Sequence, residues 1–193
     1  NNLYSYLLNF QIMTAEAEKH YAQSRPLPED DLYLYADPDW HDPAYPDGLA
    51  IFDPLHNAAI ILGLRYFGEL KKGTLTLAWA TAHRNGFVAC HGGMKQYQRQ
   101  DGTFTMAAFG LSGSGKSTIT LTSHGDRYPV KVLHDDAFVI DRQTGATTAL
   151  EPAYFDKTQD YPLSDPGIRY FLTVQNVGVT LDDHGRKTLV TED

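Results

Sequence analysis

The run "GLSGSGKS", residues 110 to 117, constrains this chain more than any other stretch. It follows the apolar "FTMAAF" and precedes "TITLTS", so a strand is expected to enter the loop and a helix to leave it. The pattern G-x-x-x-x-G-K-[ST] is that of a P-loop. Gly110, Gly113 and Gly115 permit positive φ and close backbone approach, so that successive N–H groups turn toward one anion. The helix starting near Lys116 adds its positive end. Gly110, Leu111, Ser112, Gly113, Ser114, Gly115, Lys116, Ser117 and Thr118 are therefore expected to hold a nucleotide's phosphates. Lys116 would reach the β and γ phosphates, and Ser117 would place its hydroxyl on a divalent ion that bridges them. The loop predicts a nucleotide site without naming a reaction.

Phosphate binding of this kind is local. The formal charge of −8 argues against a polyanionic partner such as nucleic acid or an acidic membrane surface. With 193 residues and 42% hydrophobic content the chain can bury a real core. The single cysteine, Cys90, allows no internal disulfide and favours a reducing, cytoplasmic setting. No apolar run approaches membrane-spanning length.

Along the chain, Thr14 caps an expected helix over 14 to 23. The stretch over 25 to 48 is dense in proline and acid, with "LYLY" as its only strand-like run, and is expected to be mostly exposed loop. Residues 1–49 are accordingly set apart from 50–193. In the second part "AAIILGLRYFG" reads as a buried strand or short helix and "TLTLAWATA" as a helix or strand. "NGFVACHGG" reads as a strand ending at His91, and "YPVKVLHDDAFVIDRQTGATTAL" as two strands around a turn at Asp141 to Gly145. The fold class expected is mixed α/β (α+β), with mixed sheets and few helices.

"KVLHDD" puts Asp135 and Asp136 at the end of an apolar strand downstream of the loop, where P-loop enzymes place a metal-binding acid. Neighbouring residues of a strand point to opposite faces, so the two aspartates are expected to do different jobs. Upstream, "YFGELKKG" carries a lysine pair, and "VACHGG" carries His91.

Together "YFGELKKG", "VACHGG", "AFGLSGSGKSTI" and "LHDD" resemble, in order, four segments of the ATP-dependent phosphoenolpyruvate carboxykinase family, and "EPAYFDKT" resembles a fifth. The resemblance spans roughly residues 57 to 170. It implies a carboxykinase-like P-loop nucleotide-binding domain and an enzyme that decarboxylates oxaloacetate and phosphorylates the enolate from ATP, giving phosphoenolpyruvate, CO2 and ADP. It implies ATP, manganese and magnesium as cofactors. By position, Lys72, His91 and Asp136 correspond to manganese ligands, Tyr66 to a residue beside the acid substrate, and Asp165 to an acid near the nucleoside. Lys72, His91, Lys116, Asp135 and Asp136 form the implied catalytic set. A lysine binds a metal only as the neutral amine, and with imidazole and carboxylate it makes a mixed N/O set suited to manganese.

The family's arginine segments for the acid substrate have no counterpart here, and "GGMK" follows His91 where the family has a "CSAN"-like run. The chain is thus expected to be the middle of a longer enzyme, with Arg65 and Arg84 the first arginines to consider for a dicarboxylate. Two other readings stay open: a kinase of the HPr-kinase type, and a nucleotide-binding module without catalysis.

Overall fold

The computed structural model describes residues 2–10, 14–111, 113–122, 125, 127–151, 179–181 and 187–189. The chain divides into a larger unit, Asn1–Tyr154, and a smaller one, Phe155–Asp193. In the smaller unit β9 (Val179–Leu181) and β10 (Lys187–Leu189) pair antiparallel. Asp165 and Ser112 lie outside the described residues.

The larger unit begins with α1 (Asn2–Asn9) and α2 (Ala15–Ala22). Thr14 caps α2, its Oγ1 accepting from the Ala17 N–H at 3.2 Å. β1 (Tyr33–Asp37), β2 (Leu49–Asp53) and β3 (Ala58–Leu62) form a mixed sheet ordered β1-β3-β2, with β1 parallel and β2 antiparallel to β3. The "LYLY" run thus becomes β1, and the acidic stretch is tied in further by Glu29. Its carboxylate accepts from Arg84 Nε at 3.1 Å and from Asn85 Nδ2 at 2.6 Å, at the end of the next helix.

That helix, α3 (Phe67–Arg84), buries Gly68, Lys71, Leu75 and Ala82 at helical spacing, a face that packs against both sheets. Its threonines lower intrinsic propensity, so packing holds it rather than composition.

The second sheet is antiparallel and built on β4 (Phe87–Arg99). β5 (Gly102–Phe109) lies along one part of β4, and β6 (Val130–His134) and β7 (Ala137–Asp141) pair with successive parts of it. β8 (Thr147–Ala149) completes the sheet beyond β7. Cys90, Met94 and Phe138 make its core, with Ala107 and Ile140 packed against them. Contrary to expectation, β4 does not end at His91 but runs to Arg99. The two glycines read as a terminator are instead sites of close approach. A Cβ on Gly92 would sit 1.9 Å from the Ala108 carbonyl, and one on Gly93 would sit 2.5 Å from both Asp135 Oδ1 and Thr120 Oγ1.

The helix expected after the glycine loop is α4 (Lys116–Leu121). It is only six residues long, as a run of β-branched residues favours. Among the described residues no helix is long and apolar enough to cross a membrane.

Candidate nucleotide and metal site

The glycine loop starts where β5 ends. The Gly110 N–H donates to the His91 carbonyl at 3.3 Å, joining the loop's first residue to β4. Gly113 and Gly115 adopt φ of +76° and +85°, left-handed values that an L side chain rarely takes. Gly115 is the N-cap of α4 and has no side-chain cap, so the first N–H groups of the helix face outward without one. Lys116 folds back over the loop and its Nζ donates to the Leu111 carbonyl at 2.9 Å, while Ser117 and Thr118 are exposed. The ammonium thus lies across the loop.

The second group forms at the break between β6 and β7. Asp135 and Asp136 fall in this break, not on a strand as expected, and Asp136 has φ +81°. A non-glycine residue in that region is strained unless its side chain is a short polar one such as Asp or Asn. The turn sends the two carboxylates to different places. Asp136 Oδ1 lies 3.0 Å from His91 Nε2, and its Oδ2 lies 3.0 Å from Lys71 Nζ. Asp135 Oδ1 points under α4 toward the Gly93 and Thr120 pair, buried and without a hydrogen-bond partner among the described residues. The Trp79 ring stands 6.2 Å from the His91 ring.

Lys71 is almost wholly buried and also ion-pairs with Glu151, its Nζ 3.0 Å from Oε1. Burial pushes the Glu151 carboxyl up to about 7; Lys71 opposes the rise, and Asp136 and Asp135 add to it.

Lys72, the lysine placed among the ligands by resemblance, is exposed and pairs with its own helix. Its Nζ lies 3.4 Å from Glu69 Oε1 and 5.6 Å from the centre of the Tyr66 ring. Adjacent helical residues are turned about 100° apart, and here Lys71 lies on the buried face while Lys72 is exposed. Lys71 shares that face with Gly68 and Leu75. This periodicity was a signal from which its burial could have been read. Tyr66 packs over Gly68, where a Cβ would be 2.2 Å from the ring. Of the arginines considered for a dicarboxylate, Arg84 is engaged by Glu29 and Asn57, and Arg65 pairs with Asp39 at 3.0 Å.

Among the described residues no three His, Cys, Asp or Glu side chains cluster as a metal site would require. The donors that do stand together are nonetheless chemically suited to a divalent ion. Asp136 and His91 offer oxygen and nitrogen at one point. A mixed carboxylate and imidazole pair of this kind suits a divalent ion such as manganese.

A family model described as phosphoenolpyruvate carboxykinase matches residues 13–162. Over 127 residues the chain is 35% identical to the phosphoenolpyruvate carboxykinase (ATP) of Aeropyrum pernix, covering 62% of this chain and 26% of that protein. Over 61 residues, 32% of this chain, it is 41% identical to the enzyme of the same name from Dictyostelium discoideum, covering 10% of that protein. It is 39% identical, again over 61 residues and 32% of the chain, to one described as glycosomal from Trypanosoma brucei brucei, covering 12% of it. The matched stretches thus span 10 to 26% of the length of these relatives.

Proposed function

The chain belongs to the ATP-dependent phosphoenolpyruvate carboxykinase family, and from that premise we propose that it serves an ATP-dependent carboxykinase reaction. Oxaloacetate loses CO2 to leave an enolate, and the enolate oxygen takes the γ-phosphoryl group of ATP to give phosphoenolpyruvate and ADP. The observation that best supports this reading is the backbone bond from Gly110 to His91, which sets the phosphate loop beside the His91 and Asp136 pair.

In this reading the N–H groups of the loop and the start of α4 bind the β and γ phosphates. Lys116 leaves the Leu111 carbonyl for the transferring group and neutralises charge that builds there. Ser117 offers its hydroxyl to the nucleotide's magnesium. His91 and Asp136, with Lys72 once its amine leaves Glu69, would hold manganese, which when bound would supply Lewis-acid stabilisation of negative charge on the substrate oxygen. Lys71 keeps Asp136 oriented from the buried side. Tyr66, next to the Lys72 amine, would flank the acid substrate. Asp135 stands under α4 and Asp165 is assigned to the nucleoside side. The partners are small molecules: oxaloacetate or phosphoenolpyruvate, CO2, and ATP or ADP.

The test is carboxylation of phosphoenolpyruvate by the full-length protein with manganese, run with ADP and with GDP. ADP-dependent formation of oxaloacetate is expected. No turnover with either nucleotide, in a protein that binds MgATP, would instead favour a different phosphoryl transfer or a binding role.

A further inference from the structure

Lys95 on β4 is fully buried, at 0% exposure, although lysine is among the residues least often found inside a protein. A buried ammonium needs acceptors, and this one finds them at one end of α4. Its Nζ donates to the Ile119 carbonyl and, at 2.9 Å, to the Thr122 carbonyl. The last carbonyls of a helix have no partner within it, and the negative end of the helix dipole lies there. The cation therefore satisfies orphan acceptors and offsets the adverse charge in one place.

The helix so held is short and rich in β-branched residues, and without outside support such a segment is marginal. Its underside is equally fixed. Thr120, also at 0% exposure, donates from Oγ1 to the Lys116 carbonyl at 2.8 Å and sits over Gly93 of β4. At 1.5 Å rise Ile119 and Thr122 lie about 4.5 and 9 Å along the axis from Lys116, so the carbonyls that Lys95 holds belong to the body and end of the helix rather than to the loop. Its effect on the loop runs through the helix.

We infer that Lys95 is a positioning residue for the phosphate loop: by clamping the C-terminal end of α4 to β4, it fixes Lys116 and Ser117, the first residues of that helix, for a polyphosphate. The inference rests on the polyphosphate reading of Gly110 to Ser117. It adds a physical link between the two halves of the site, because β4 also carries His91.

The test compares the intact chain with Lys95→Met, which keeps the stem and removes the donor, and Lys95→Gln, which keeps a shorter donor. MgATP is titrated calorimetrically and backbone amide exchange is followed. Lys95→Met should weaken MgATP at least tenfold and speed exchange at 119–122, while Tyr33–Asp37 and Ala58–Leu62 keep wild-type protection. Lys95→Gln should fall between. Wild-type exchange at 119–122 in Lys95→Met would overturn the inference, whatever happens to affinity. So would loss of protection throughout the β1-β3-β2 sheet in both variants, since Lys95 would then support the whole fold rather than the loop. If the wild-type chain fails to bind MgATP, the polyphosphate reading itself falls and takes the role of Lys95 with it; that outcome is distinct, because the exchange pattern is read without nucleotide.

Discussion

Asp136 joins His91 to Lys71, with one carboxylate oxygen 3.0 Å from the imidazole and the other 3.0 Å from the ammonium. One partner is half-exposed and the other is buried. The carboxylate therefore has a side from which it is held and a side on which it can be used.

The two lysines of "KKG" should separate in their effects. Lys71→Met leaves Asp136 and Glu151 without their buried cation, which should cost about 3 kcal/mol or more of stability. Lys72→Met removes an exposed pair with Glu69, worth about 0 to 1 kcal/mol, yet should weaken manganese binding. Urea denaturation and manganese titration followed by electron paramagnetic resonance check both. Equal manganese affinity in Lys72→Met and wild type would remove Lys72 from the ligand set.

Lys116→Ala should weaken MgATP strongly, because the only side-chain cation of the loop is lost from the charge-bearing end of the nucleotide. Calorimetry measures it. An unchanged dissociation constant would leave the loop without its expected role.

Glu151 gives a pH signature. Burial, its largest cause, raises the carboxyl from 4.5 to about 7, so the folded chain holds this proton more tightly than the unfolded chain does. The resulting stability is fully present below pH 4.5 and is lost as pH rises through about 7. Glu151→Gln mimics the neutral form and should flatten that fall, by an amount of order 2 kcal/mol. Denaturation midpoints of the two proteins across this window supply the comparison, and parallel curves would contradict it.

His134 should be better replaced. Both ring nitrogens are buried without hydrogen-bond partners among the described residues, and the ring packs 4.8 Å from Phe138. Burial pulls its pKa down, while Asp135 pushes it up. An unsatisfied buried polar group costs about 1 to 3 kcal/mol, so His134→Phe should raise stability by about 1 kcal/mol. A loss of stability on urea denaturation would show that the imidazole makes an interaction of value.

The glycine loop, its flanking strand and helix, and the capped helix at Thr14 were legible because each is encoded by neighbours in sequence. The side-chain partners were not. Which lysine is buried beside Asp136 is decided by the helical face shared with Gly68 and Leu75, and that lysine is Lys71. Glu151 opens a segment noticed for its resemblance, but its pairing with Lys71 depends on contacts 80 residues apart in sequence. The continuation of β4 past His91 is hidden in sequence because glycine has low strand propensity; only the approach of Ala108, Thr120 and Asp135 reveals why Gly92 and Gly93 are needed within the strand. The aspartates were expected on a strand because the apolar pattern continues past them, and only their backbone angles show the break.

The positive φ of Asp136 also limits how this chain can diverge. Asparagine and glycine tolerate that backbone, and each is one base change away from aspartate. Either would keep the turn and remove the carboxylate charge. Glutamate is also one base change away and would keep the charge, but it loses the short-chain tolerance for the turn and carries its oxygens one carbon farther out. Loss of the carboxylate is therefore an easy step at this position, while conservative replacement is a hard one. A descendant of this sequence that sheds this charge keeps its turn.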